Sequence, residues 1–190
     1  MDQALRKEMS LTFSEVATQL FEESDRGSVV LAGAWLDEKL TQILKKYLLA
    51  SKSETLLGPG NPIGDFGVKI ELCYRLGLVS KESHRSLKLF RKLRNDAAHL
   101  SKGIFFTEGS FGDRVLEFFS LNSDFIDAVL EAAGGIESIG DFISGGAEET
   151  PPPEAIMRAL GERRVFDIVA AINIAGLSLT LSQIKAVEEF

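Results

Sequence analysis

From Val165 to Leu181 the chain is apolar on nearly every side of a helix, interrupted by Asp167 and Asn173. Such a segment must be covered all round, so it constrains the fold more than any other feature. It is shorter than the roughly 20 apolar residues of a membrane-spanning helix, which points to a core helix or a helix paired with its copy in a second subunit. An interface of the second kind would bury on the order of 800 Å² per partner. The rest of the 190 residues can supply the covering: 45% are hydrophobic and 26% charged, which excludes a largely disordered chain. The length suits one domain, or one domain with an appendage.

Apolar spacing elsewhere is helical almost throughout. Leu5, Met9, Phe13, Val16 and Leu20 fall three and four apart and predict a helix over 3–23. A second helix is expected from about Arg26 to Ala50, with Val29, Val30, Ala34, Leu40, Ile43, Leu44 and Tyr47 as its apolar face and Ser24-Asp25 as cap. Gly58-Pro59-Gly60-Asn61-Pro62 marks a loop. A third helix, carrying Val68, Ile70, Leu72 and Leu76, follows Pro62 and stops at Gly77. Ser80-Lys81-Glu82 opens a fourth, with Leu87, Phe90, Leu93 and Ala97 facing the core and an end near His99 or Leu100, Gly103 lying just beyond. Ile104 to Thr107 reads as a brief extended piece, and Asp113 to Ala132 as a further helix. The expected fold is an all-α multi-helix bundle: a helical domain over 1–133, a Gly/Pro-rich linker over 134–153 ending in Pro151-Pro152-Pro153, and a helical segment over 154–190 packed as a C-terminal arm.

Charge is uneven. The net charge is −7, yet Lys69 to Lys102 carries nine basic residues against Glu71, Glu82 and Asp96. Lys81, Arg85, Lys88 and Lys92 recur at about one helical turn and form a candidate binding stripe, either for phosphate or as a solvated face. With Cys73 the only cysteine and His84 and His99 the only histidines, no disulfide framework, metal site or cofactor is expected. Cys73 reads as an inert buried thiol, and a reducing, cytoplasmic setting without a membrane anchor is expected. Gly58-Pro59-Gly60 lacks the lysine and the strand-to-helix setting of a phosphate loop. Asp25 is placed to cap the second helix while Arg26 reaches Asp37 or Glu38; Trp35, the only tryptophan, reads as core. Arg26 with Arg94 would also serve as an anion pocket.

The string Leu93-Arg94-Asn95-Asp96-Ala97-Ala98-His99 resembles the Arg-x4-His signature of HEPN domains, all-helical modules that include metal-independent endoribonucleases. Histidine can move a proton at a ribose hydroxyl and arginine can hold the phosphate. Five helical residues put Arg94 and His99 about 140° apart, whereas Asn95 and His99 share a face. A site from Arg94, Asn95 and His99 therefore needs a bend at the helix end or two copies meeting across a dimer axis, and the resemblance implies a homodimer. Scaffold roles exist for all three; His99, for one, suits a helix C-terminus.

A wider set of strings resembles the mannitol operon repressor family. Glu22-Glu23-Ser24-Asp25-Arg26-Gly27 and Leu36-Asp37-Glu38-Lys39-Leu40 look like its first helical pair. Pro62 to Ile70 and Tyr74 to Val79 look like its central segment, with Arg94-Asn95 and His99 following in order. The similarity runs over about 10–105, and the sequence beyond 107 departs from it. It implies a regulator of sugar-alcohol metabolism that represses transcription. No helix-turn-helix is legible, so direct DNA reading is not expected and a protein partner is. The alternative is a HEPN-type endoribonuclease with a toxin or defence role. A third reading is non-catalytic nucleic-acid binding through the basic stripe, against which the net charge counts.

Overall fold

The structure is a computed structural model that describes residues 3–50, 56–99, 106, 111–122 and 153–188. Among these are seven α-helices and no strand: α1 Gln3–Glu22, α2 Asp25–Tyr47, α3 Phe66–Arg75, α4 Lys81–His99, α5 Phe111–Ser120, α6 Pro153–Leu160 and α7 Glu162–Gln183. The all-α class is as expected. Most of the linker, and the stretch read as helix beyond 122, lie outside the described residues.

The covering demanded by the apolar run is met within the chain. α7 lies along α1 and α2, with α5, α6 and α4 also against it. Every residue from Val165 to Ala175 is buried. By length and composition α7 resembles a membrane span, but 67% of its most apolar window is buried inside the fold. The 154–190 segment is therefore not a separately packed arm, because its long helix forms the middle of one core shared with α1, α2, α4 and α5. Phe166 sits centrally, its ring 5.6 Å from Phe90, 5.4 Å from Phe106 and 6.1 Å from Phe118.

Local chemistry sets the ends. The Ser24 hydroxyl caps α2 by accepting from the Gly27 N–H, so the cap expected of Asp25 belongs to its neighbour. Asp65 caps α3 from the Gly67 and Val68 N–H groups. α3 ends in a Schellman turn: the Leu78 N–H donates to the Cys73 carbonyl and the Gly77 N–H to that of Tyr74. This turn holds Gly77 at φ +71°. Gly77→Ala is expected to cost about 1 kcal/mol in a urea melt, with the slope unchanged.

The expected core faces are half right. Leu87, Phe90, Leu93 and Ala97 of α4 are all buried. On α2 the inward face runs through Val29, Ala32, Gly33, Leu36, Leu40, Ile43 and Leu44, while Val30 and Ala34 point outward. On α3, Phe66, Ile70 and Cys73 are buried and Val68 is exposed. Burial pushes the Cys73 thiol up to about 12, which makes it the unreactive residue expected.

Candidate functional site

The outer face of α4 is the strongest candidate for a functional surface. Its apolar positions turn inward, so Lys81, Arg85, Lys88 and Lys92, spaced four, three and four apart, are all exposed along one side. The Ser80 hydroxyl accepts from the Ser83 N–H at the start of the helix. Two basic residues are tied to α3: Lys88 lies 3.1 Å from the Glu71 carboxylate, and Arg91 lies 3.8 Å from Asp65. Lys81, Arg85 and Lys92 have no ion-pair partner among the described residues, which leaves their charge directed at solvent.

Beside the stripe sits a cluster that sequence reasoning passed over. The His84 ring stacks flat on Tyr74 with centroids 4.1 Å apart, and its Nε2 is 3.1 Å from Glu71 Oε1. Lys88 and then His84 hold the Glu71 carboxyl below its ordinary value. Sharing one carboxylate oxygen between an imidazole and an ammonium clips α4 to α3. Among the described residues no three His, Cys, Asp or Glu side chains converge as metal ligands would.

Of the three candidate site residues in the Arg94 string, Arg94 and Asn95 have described side chains. Arg94 lies with its guanidinium 5.9 Å from the Phe66 ring centroid, tying α4 to α3. A Cβ on Gly33 would come within 3.0 Å of Arg94 Cδ, so this glycine lets the arginine stem lie against α2. Asn95 is exposed. α4 runs unbroken to His99, whose side chain lies outside the described residues. The helix therefore keeps the two positions about 140° apart.

The Asp25–Arg26 reading changes. Asp37 is bound by Lys69 of α3, whose Nζ is 2.9 and 3.1 Å from its two oxygens, and Lys69 is buried. Arg26 is exposed in the first turn of α2, about three turns from Asp37 and beyond its reach. Asp25 instead lies 3.9 Å from Arg163 of α7. Trp35 is half-buried against the core.

Two buried polar groups in α7 were visible in the sequence only as interruptions. Asp167 accepts a hydrogen bond from the Ser28 hydroxyl of α2 and lies 3.4 Å from Arg163. Arg163 also donates to the carbonyls of Leu20 and Glu23, closing the corner between α1 and α2. Burial outweighs Ser28 and the arginines Arg163 and Arg164, and pushes the Asp167 carboxyl up to about 6. On another side of α7, Asn173 joins Ser86 of α4 and Asn122, just after α5, in a closed hydrogen-bond network.

No family model and no curated protein matches the sequence significantly. Among solved structures the chain is similar to the MtlR chain of the MtlR–HPr complex from Escherichia coli. The TM-score is 0.51 at 18% identity, over 90% of this chain and 99% of that one. At such identity the likeness is one of fold, and it sets this all-helical arrangement beside that of MtlR.

Proposed function

We propose that this chain is a non-catalytic regulator of sugar-alcohol metabolism that acts by binding a protein partner through the outer face of α4. The observation that carries the reading is the stripe itself, a basic face on a protein of net charge −7, with Lys81, Arg85 and Lys92 uncommitted to ion pairs among the described residues. A local field of one sign steers an oppositely charged partner and suppresses wrong ones. The likeness to MtlR, solved bound to HPr, supports a protein partner and makes HPr the first probe. The separation of Arg94 from His99 counts against a reaction centre within one chain.

The test is calorimetric titration of purified HPr into the full chain at low and moderate salt. Binding is expected at low salt and should weaken as salt rises. The triple variant Lys81→Glu, Arg85→Glu, Lys92→Glu should bind at least about tenfold more weakly, with unchanged helical circular dichroism. Equal binding by that variant would remove the α4 face from the proposal. RNA cleavage in EDTA by the wild type, lost in His99→Ala and Arg94→Ala, would replace the regulator with the ribonuclease.

A further inference from the structure

A cavity of about 280 Å³ opens between α1, the start of α4 and the second half of α7. It is partly open to solvent, and none of Lys81, Arg85, Lys88 and Lys92 lines it. Met9, Leu87, Ile172 and Leu177 make much of its wall apolar, Asn122 and Asn173 stand in its lining at 6% and 9% exposure, and Ser80, Ser83 and Thr180 border it as well. Its volume is near the lower end of small-molecule sites, and a mostly apolar wall with a few placed polar groups is the usual make-up of one. Among the described residues no Lys, Arg, His, Asp or Glu lines it, so a charged occupant would find no ion-pair partner there.

The hydrogen bonds narrow the occupant further. Both N–H groups of Asn173 are committed, to Asn122 Oδ1 at 3.1 Å and the Val169 carbonyl at 2.8 Å. Those of Asn122 go to Ser86 Oγ at 3.0 Å and the Phe118 carbonyl at 2.7 Å. The Ser86 hydroxyl donates to Asn173 Oδ1. Every donor in the network is spent, whereas each amide oxygen accepts one bond from it and keeps a second lone pair. What the network still offers is therefore acceptors.

Gly176 supplies a second, independent sign. It lies within α7, where glycine is a poor helix residue, and it lines the cavity. A Cβ built there meets nothing within 4 Å. The position has room for a side chain, and one placed there would border the cavity that Gly176 lines.

We infer that this cavity is a binding site for a small, neutral, mainly apolar molecule bearing a single hydroxyl or N–H donor, which it gives to the Asn122 and Asn173 oxygens. A sugar alcohol fits poorly: it carries a hydroxyl on every carbon, and the leucine, isoleucine and methionine walls would leave many of them unpaired even with Ser80, Ser83 and Thr180 at the border. The site stands whether or not α4 binds a protein.

The test uses indole and phenol as donor-bearing probes, toluene as the apolar control and mannitol as the polyol, each titrated into the full chain by ligand-observed NMR. Indole and phenol are expected to bind with dissociation constants of about 1 mM or tighter, toluene about tenfold more weakly, and mannitol not at all. Gly176→Leu should abolish indole binding, and the milder Gly176→Ala should weaken it, both at unchanged helical content. Undiminished indole binding in folded Gly176→Leu, or no binding of either donor probe to the wild type, overturns the assignment. Toluene matching phenol overturns the donor requirement.

Discussion

Phe166→Ala is expected to lower the unfolding free energy by about 4 kcal/mol, a large share of the 5–15 typical of a domain. The side chain is wholly buried and its ring meets Phe90 of α4, Phe118 of α5 and Phe106. Truncation would remove the group on which three elements converge, and rigid helix backbones limit how far the space can close. With a urea slope of about 2 kcal/mol per molar, the midpoint should fall by about 2 M. Trp35 on α2 reports independently of helical circular dichroism, and both signals should shift together. An arm packed apart from the N-terminal helices would instead leave the Trp35 transition in place. Leu11→Ala, at a position 56% exposed, should change stability by no more than about 0.5 kcal/mol. A Phe166→Ala loss under about 1 kcal/mol would mean that the core is not centred on α7.

How much of this was legible in the sequence depended on how far each signal reaches along the chain. α4 was read almost to the residue, because Ser80 at its start, Gly77 just before it and a clean apolar stripe are all local signals. The basic stripe was legible for the same reason: four residues on one face are exposed if the opposite face is buried. α2 was harder. It is apolar over so much of its surface that spacing alone did not exclude Val30 and Ala34, and only its packing against α3, α4 and α7 selects the face. Ion pairs were the least legible. Lys69 with Asp37 and Arg163 with Asp25 join residues far apart in the chain, and nothing in local spacing chooses between them and Arg26. Asp167 and Asn173 gave the strongest signal that went unused. A buried polar residue in an apolar helix needs a partner, so each predicts a hydrogen-bonding neighbour on another helix. Six residues apart, they face different sides of α7, and so they specify two different sets of neighbours.

Asp167 should give the chain an unusual dependence on pH. Its folded carboxyl titrates at about 6 against an ordinary 3.8, so the native state holds the extra proton in between. Stability from this group is full below about pH 4 and declines as pH rises to about 6, by about 3 kcal/mol for the whole step. Glu71 and Glu82 are shifted the other way, so their contribution is present above the ordinary glutamate range and fades as pH falls. Comparing wild type with Asp167→Asn isolates the aspartate. The asparagine keeps the shape of the protonated acid and can still accept from Ser28, so the difference between the two proteins should open between pH 4 and 6 and stay constant above. Arg163→Met adds the complementary result. It removes the cation 3.4 Å from Asp167 Oδ2 and the donor to the Leu20 and Glu23 carbonyls. At pH 7.5, where Asp167 is ionised, the loss should reach about 3–5 kcal/mol, the range for stranding a buried charge. At pH 5 it should be smaller, because a protonated Asp167 no longer needs the arginine. Adding Asp167→Asn to Arg163→Met should recover the pH-dependent part and leave only the lost carbonyl contacts. Parallel profiles for wild type and Asp167→Asn across pH 4–6 would show that water reaches the carboxylate, and the clamp joining α1, α2 and α7 would then have to rest on Arg163 and the backbone alone.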